Sequence, residues 1–473
     1  MKLILLSGGS GKRLWPLSNK SRPKQFLKIL RNKKNNQLES MVQRVWNQLR
    51  SVNLENSTYV AIGKAQIGIL QNQLGSDIPI IIEPEMRDTF PAVALAASFL
   101  YSKVNIPLDE IVCVLPTDSY VDEQFYMKIK DLENVLIDSG ADLALVGTKP
   151  AFPSEKYGYI IPEQRQESLE LPYVTVKGFK EKPSKNQAEK LIQDKAFWNC
   201  GVFAFKLSYV ISILHKNGWP IKYEELIEQY GQLPKVSFDY EVLEKSNNIV
   251  MVEYEGIWKD LGTWNTLAEE IDECLLGEGM IHHSANTNVI NELNTPVVVL
   301  GLSNIIVVRS PDGILISDKS KSTELKGLIK YADERPMYEE RHWGWYRVLD
   351  YSKIEPGREA LTKKIAIQSG KNISYQSHNK RREVWTIISG EGAFVLDDKL
   401  FHVKPDDVLE IPIGAKHSIK AITDLELIEV QIGSELIEED ISVICVSWEE
   451  IEEYLSFVGE RTPSSRNEKG AAQ

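Results

Sequence analysis

The first 26 residues constrain this chain most. Leu3-Ile4-Leu5-Leu6 is a short apolar strand that runs directly into Ser7-Gly8-Gly9-Ser10-Gly11. Consecutive small residues at a strand end let successive backbone N–H groups point into one concavity. A polyphosphate can then approach the main chain with no side chain in the way. Lys12, Arg13 and, after Pro23, Lys24 place positive charge beside it. A Walker A loop needs Ser or Thr after Gly-Lys, and here Arg13 follows Gly11-Lys12. A dinucleotide fingerprint needs a third glycine, and Gly9-x-Gly11-x-x meets Leu14. A plain strand-to-helix turn accounts for Gly8 to Gly11 alone. It does not account for Arg13, Trp15-Pro16, Pro23 and Lys24 arriving together.

The chain has 473 residues, enough for two or three domains. Its net charge of −12 argues against nonspecific nucleic-acid binding, so the positive charge of the first 30 residues is a local feature. Cys113, Cys200, Cys274 and Cys445 are dispersed without paired spacing and read as reduced thiols. Met1-Lys2 leads into four apolar residues only, and no apolar run approaches the length of a membrane span. A cytoplasmic protein acting on intracellular metabolites, with no membrane partner, is expected.

Residues 1–275 alternate short apolar runs with helical stretches, the pattern of an α/β domain with a mostly parallel sheet. The expected strands are Lys2–Leu6, Thr58–Ile62, Ile78–Ile82, Ile111–Leu115, Leu143–Gly147 and Val202–Phe205. The expected helices are Leu38–Leu49, Pro91–Tyr101 and Asn186–Asp194, with Asp88 or Thr89 capping the second. Residues 276–335 read as a small β-rich linker module, in the manner of a short parallel β-helix, and Asp333-Glu334-Arg335-Pro336 as an exposed joint. Residues 340–456 carry the short strands and turns of an all-β barrel. A polar, small-residue tail, 459–473, reads as disordered.

The opening segment resembles the sugar-nucleotide pyrophosphorylases, and the spelling Arg13-Leu14-Trp15-Pro16-Leu17-Ser18 with Pro23-Lys24-Gln25-Phe26 resembles the mannose-1-phosphate guanylyltransferase family. Further pieces follow in that family's order: Glu83-Pro84 with Arg87-Asp88-Thr89; Leu115-Pro116-Thr117-Asp118; Tyr157-Gly158-Tyr159-Ile160; Phe179-Lys180-Glu181-Lys182-Pro183; Trp198-Asn199-Cys200-Gly201; and Trp258-Lys259-Asp260-Leu261-Gly262-Thr263-Trp264. The spelling departs at Ser119, where the family has His, and at Lys156, where Gly is usual. The resemblance implies a Rossmann-like, GT-A-like nucleotidyltransferase domain that joins GTP to mannose 1-phosphate, releasing pyrophosphate and GDP-mannose.

The same resemblance implies the site residues. Leu6, Gly8, Gly9, Gly11, Lys12, Arg13, Glu83, Arg87, Thr89, Pro116 and Asp118 would bind the nucleotide. Gly158, Glu181, Lys182, Asn199 and Asp260 would bind the sugar phosphate. Asp118 and Asp260 would hold Mg2+, while Arg13, Lys24 and Lys182 offset phosphate charge. These residue types suit the chemistry. A phosphate monoester has its second pKa near ~6 and is already an anionic nucleophile, so the protein must position two polyanions and absorb charge.

The C-terminal part contains Gly370-x5-Gln376-x-His378-x4-Glu383-x6-Gly390 and Pro412-x-Gly414-x2-His417. This is similar to the two cupin motifs, with Gln376 in the place of the first His and Asp406 where the second motif opens with Gly. Gln376 and His378 alternate on one strand and can face one interior. Gln376, His378, Glu383 and His417 together suit Zn2+ or another divalent metal. Arg381, Trp385, Glu429-Val430-Gln431 and Trp343-Gly344-Trp345 resemble the type II phosphomannose isomerase domain. That domain interconverts mannose 6-phosphate and fructose 6-phosphate, with Arg381 matching its active-site Arg. Three readings stay open: the guanylyltransferase with or without isomerase activity; a pyrophosphorylase for another sugar or base with a structural cupin; and a non-catalytic sugar-nucleotide sensor. A homodimer is expected.

Overall fold

The computed structural model describes residues 1–9, 12–163, 171–329 and 334–461, with the backbone alone for 12, 326, 438 and 459–461. Ser10 and Gly11 of the glycine-rich turn, Asp333 of the expected joint and residues 462–473 of the expected tail lie outside the described residues. The chain divides into two compact units, Met1–Glu334 and Arg335–Gln473. Among the described residues no helix is long and apolar enough to cross a membrane.

The first unit is built on nine strands: β1 (Lys2–Leu6), β2 (Thr58–Gly63), β3 (Ile80–Glu83), β4 (Ile111–Pro116), β5 (Leu143–Thr148), β6 (Tyr159–Pro162), β7 (Val174–Lys180), β8 (Phe197–Lys206) and β9 (Ile249–Tyr254). Their spatial order is β3-β2-β1-β4-β8-β5-β9-β7-β6. Seven of the nine run one way, and β7 and β8 run against them. β4 and β5 read as unbroken apolar runs because both faces are covered. Cys113 and Val146 face one core with the helices Met41–Ser51 and Glu123–Ser139. Val114 and Leu145 face another with Thr89–Ser102 and Leu207–Lys216.

Local chemistry sets the element ends. Leu38–Glu39 is a strand rather than the start of a helix, because Ser40 takes the N-cap position. Its hydroxyl accepts from the Gln43 N–H while Gln43 Oε1 accepts from the Ser40 N–H, a reciprocal capping box. Asp88 caps Thr89–Ser102, accepting from Thr89 N. β8 is longer than its apolar core suggests, since its pairing with β5 shifts register between Asn199 and Phe203. Such a bulge breaks the alternation that marks a strand and re-aims a side chain.

Residues 275–318 form parallel rungs: Leu275–Leu276 on Asn288–Asn291, that strand on Ile305–Ser310, and Gly279–His282 on Val297–Leu300. The hairpin Ile305–Ser310/Gly313–Asp318 closes the stack. This module shares a hydrophobic core with Leu14, Leu17, Leu27 and Trp264. It packs within the first unit and is not a free linker.

The second unit is all antiparallel. A six-stranded sheet runs Tyr338–Arg341, Gly344–Glu355, Arg358–Ile367, Leu425–Gly433, Arg381–Ser389, Val408–Ile411. A five-stranded sheet runs Lys399–Val403, Gly392–Leu396, His417–Ala421, Tyr375–His378, Ile441–Cys445. Trp385, Phe394, Ile419 and Leu427 fill its core. The final helix, Trp448–Arg461, carries its apolar face onto Tyr375 and Val395. That helix extends through residues 459–461, into the stretch expected to be disordered, because the turns anchored by Trp448 and Ile451 propagate it.

Candidate active sites

In the first unit the turn after β1 meets the ends of β2 and β4. Ser7 N donates to Ala61 O, and Thr117 N and Oγ1 both donate to Leu6 O. Gly8 and Gly9 are exposed and backed by Gln25, whose Nε2 donates to Ser7 O (3.1 Å) and Ser7 Oγ (3.2 Å). Gln25, buried, therefore fixes the turn from behind, a role the motif spelling did not reveal.

Asp118 and Asp260 meet because Ser119–Val121 pairs antiparallel with Trp258–Asp260, with Ser119 opposite Asp260. The Lys24 ammonium lies 2.6 Å from Asp118 Oδ2 and 3.3 Å from Asp260 Oδ1. Burial works against that charge, but Asp118 and then Asp260 outweigh it and raise the Lys24 pKa. Burial likewise opposes the Asp118 carboxylate, and Lys24 more than compensates, holding its pKa below the ordinary value. One cation already touches both carboxylates, so the pair suits a divalent ion bound by few protein ligands.

Arg13, Tyr157, Lys182, Asp260 and Gly262 line one cavity of about 470 Å³. Tyr157 is pushed up to about 12 by burial and by Asp260. It sits edge-on to Trp198 and Trp258, at 5.0 and 5.3 Å between centroids. Beside this cavity Asn199 N donates to Gly158 O and Lys182 N to Tyr157 O, which ties three motifs together. Lys182 has a left-handed backbone (φ 45) and its ammonium reaches the buried Glu181. Asn199 Nδ2 donates to Asp239 Oδ1 (3.0 Å). Asp239 is pushed up to about 7 by burial and the neighbouring Glu181 carboxylate. No sequence motif flagged Asp239; only the tertiary fold brings it to Asn199.

Glu83, Arg87 and Thr89 do not line that cavity. Their side chains hold the segment that carries Asp239. Tyr230 OH donates to Glu83 Oε2, Arg87 Nε and Nη2 donate to Leu233 O, and Phe238 N donates to Thr89 Oγ1. Burial pushes Glu83 up to about 7. Gly11 lies outside the described residues, as does the Lys12 side chain.

In the second unit His378, Glu383 and His417 are buried, with one ligand atom of each within 4.8 Å of the others. His378 and His417 come from paired strands of the five-stranded sheet, Tyr375–His378 and His417–Ala421, and Glu383 comes from Arg381–Ser389 of the six-stranded sheet. His417 Nδ1 donates to Ala415 O (3.1 Å), and its Nε2 lies 3.5 Å from Glu383 Oε2. Burial lowers His378 to about 4, so it is a neutral imidazole at pH 7. Burial opposes the Glu383 charge, but His417 and Arg381 beside it hold its pKa low. Two imidazoles and one carboxylate fit a divalent metal. Gln376 turns its amide nitrogen toward His378 Nε2 (3.4 Å), while its oxygen accepts from Ser374. As a ligand through oxygen its amide would have to turn over.

Arg381 Nε donates to Glu383 Oε1 (2.9 Å), and Trp385 Nε1 is shared between Glu383 Oε2 and Glu429 Oε1, both at 3.1 Å. A cavity of about 250 Å³ opens beside them, lined by Lys363, Gln376, Arg381, Glu383, Glu429 and Gln431 among others. The motif spelling points to Glu429 and Gln431 but not to Lys363, which lies 3.6 Å from Glu429.

Comparison with known proteins follows the same division. Residues 2–275 match the family model for nucleotidyl transferase, and residues 332–445 match that for mannose-6-phosphate isomerase C-terminal. The alginate biosynthesis protein AlgA of Pseudomonas putida is 32% identical, over 93% of this chain and 94% of its own. A mannose-1-phosphate guanylyltransferase of Klebsiella pneumoniae is 30% identical, over 93% of this chain and 97% of its own. Among solved structures, a mannose-1-phosphate geranyltransferase from Thermus thermophilus aligns with a TM-score of 0.57 at 27% identity, covering 70% of this chain and 98% of that one.

Proposed function

Because the chain belongs to the nucleotidyl transferase family, we propose that its first unit transfers GMP from GTP to α-D-mannose 1-phosphate. The products are GDP-mannose and pyrophosphate. The observation that carries this reading is the Lys24 ammonium between Asp118 and Asp260, beside a cavity lined by Arg13 and Lys182. Two carboxylates, three cationic side chains and a bare glycine turn are what a reaction between two polyanions requires. Mannose and guanine are supported by the name of the Klebsiella pneumoniae relative.

A phosphate oxygen of the sugar phosphate attacks the α-phosphorus of GTP in line, and the bond from that phosphorus to the β-phosphate bridging oxygen breaks. Gly8 and Gly9 leave main-chain N–H groups open to the triphosphate. Arg13 and Lys24 offset its charge on one side, and Lys182 offsets the acceptor phosphate on the other. Glu181 and Asn199, held by Lys182 and Asp239, orient the sugar through its hydroxyls. Asp118 and Asp260 would hold Mg2+, which supplies Lewis-acid stabilisation of the phosphate charge.

The test is pyrophosphate release with mannose 1-phosphate and Mg2+, with GTP run beside ATP, UTP, CTP and dTTP. Release with GTP alone is expected. Release only with another triphosphate, or only with another sugar 1-phosphate, would keep the chemistry and overturn the substrates. A sensor that binds without turnover would release none. The retention of Asp118, Asp260, Lys24 and Lys182 argues against it.

For the second unit, the buried His378, Glu383 and His417 beside the Arg381-lined cavity favour a further reading. That reading is isomerisation of mannose 6-phosphate and fructose 6-phosphate. His378, Glu383 and His417 would hold a divalent metal such as Zn2+, which polarises the sugar oxygens when bound. Arg381 and Lys363 would meet the phosphate or the enediolate. Fructose 6-phosphate formation from mannose 6-phosphate, lost in Arg381→Ala, tests it.

A further inference from the structure

The segment between the glycine turn and Lys24 has little regular structure of its own, yet it must set both Arg13 and Lys24 against the phosphates. Residues far along the chain hold it. Trp264 Nε1 donates to Trp15 O (3.1 Å), and Ser310 Oγ donates to Pro16 O (2.7 Å). Asn19 Nδ2 donates to Asp312 Oδ2 (2.8 Å). Asn19 Oδ1 in turn accepts from the Ser21 and Arg22 N–H groups, closing the turn that leads into Pro23 and Lys24. Arg22 Nη2 pairs with Glu292 Oε2 at 3.0 Å, while its guanidinium also donates to Leu17 O. At Gly313 (φ +151) a Cβ would lie 2.6 Å from the Trp15 ring.

Ser310, Asp312 and Glu292 all belong to the parallel β module, beyond the 2–275 match to the transferase family model. Asn19 and Arg22 are buried, so these ties are made away from bulk water, where a polar group left without its partner is costly. Leu14 and Leu17 share one apolar core with Ile306, Val308 and Leu315 of the module. Polar ties and packing therefore converge on residues 14–22, flanked by Arg13 on one side and Lys24 on the other.

We infer that the β module is part of the transferase machinery, with Ser310 and Asp312 as positioning residues that set Arg13 and Lys24 through the Trp15–Arg22 segment. This rests on the transferase reading of the first unit. Asp312 acts through Asn19, and Ser310 through the Pro16 carbonyl; neither lines the cavity. Because Lys24 faces Asp118 and Asp260 while Gln25 backs Ser7, a shift of residues 19–22 moves the triphosphate side of the site. The sugar side, built on Gly158, Glu181, Lys182 and Asn199, is tied elsewhere and stays.

The test compares Asp312→Ala, Ser310→Ala and Asp312→Asn in the full chain by steady-state pyrophosphate release, with melting temperature measured alongside. A misplacement of about 1 Å can cost on the order of a hundredfold in rate, so a partial loss of these ties should lower kcat/KM for the triphosphate about tenfold. The KM for sugar phosphate at saturating triphosphate should stay within about twofold. Asp312→Asn keeps an acceptor for Asn19 Nδ2 and should restore most of the loss. Wild-type constants in both alanine variants would overturn the inference. So would equal losses for both substrates in step with a lower melting temperature, which is a purely structural role. If the wild type uses a triphosphate other than GTP, the guanylyl reading fails, and the same variants measured with that triphosphate still decide the positioning claim.

Discussion

Gly158→Ala is a sharp probe of the sugar side, because its geometry fixes the outcome. Gly158 does not have a positive φ, so alanine brings no backbone strain there. The added methyl would stand 2.6 Å from Glu181 Oε2 and 2.6 Å from Phe179 Cζ. Both distances are roughly 1 Å inside ordinary contact. Phe179 is 8% exposed and packed in the second sheet core, so its ring has little freedom to turn. Glu181 is 7% exposed, and among the described residues its carboxylate is hydrogen-bonded to Lys182 alone, so it is the group that yields. Overpacking of this kind costs about 1–3 kcal/mol in stability. The charged hydrogen bond proposed between Glu181 and a sugar hydroxyl, lost when Glu181 moves, is worth about 1.5–3 kcal/mol. At about 1.4 kcal/mol per factor of ten, that is roughly 10- to 150-fold in kcat/KM for mannose 1-phosphate. The assay is pyrophosphate release at saturating GTP with varied sugar phosphate. The KM for GTP should stay within about twofold, since the triphosphate side is not touched. In a Glu181→Ala background the same substitution should cost far less in kcat/KM, because the group it displaces is gone, while the overpacking against Phe179 still lowers stability. A wild-type KM for mannose 1-phosphate, or a full penalty in the Glu181→Ala background, would refute the reasoning.

Other outcomes follow from the same geometry. Asp118→Asn or Asp260→Asn should lower turnover by at least about a hundredfold while the protein keeps its fold by circular dichroism; near-normal rates would remove the metal assignment. Asp239 has its pKa raised to about 7 from an ordinary 3.8, so between those values the folded protein binds more protons than the unfolded chain. Stability from this group is therefore present at acid pH and lost as pH rises toward 7. Asp239→Asn should gain on the wild type in denaturant titrations from pH 4 to pH 7, and a constant difference would refute the shift. In the second unit, His417→Ala should abolish retention of a divalent metal, measured by mass spectrometry of the purified protein; equal metal content in variant and wild type would show that the triad does not hold it.

Much of this fold is legible because its signals are local. β1, β4 and β5 announce themselves as apolar runs bounded by turn residues, and the glycine turn after β1 needs no tertiary context to be read. Helix boundaries are less legible where one hydroxyl decides them. Leu38 and Glu39 fit a helical pattern until the Ser40 side chain turns back on Gln43. The bulge in β8 hides half that strand, because an inserted residue puts Asn199 out of the alternation used to find it.

The sites divide along the same line. Motif spelling names Asp118 and Asp260, but what brings them together is one ribbon pairing between segments about 140 residues apart, with Ser119 set opposite Asp260. Asp239 has no motif of its own; it matters because Ser237 starts a short helix there and Thr89 holds Phe238 N from another element. That last bond bears on Glu83, Arg87 and Thr89, which family resemblance associates with the nucleotide. Their side chains bond to Tyr230, Leu233 and Phe238, so a substitution such as Thr89→Val first loosens the segment that presents Asp239 to Asn199. Its primary effect should then fall on the sugar phosphate and not on GTP, and a rise in the KM for GTP alone would show that Thr89 meets the nucleotide directly.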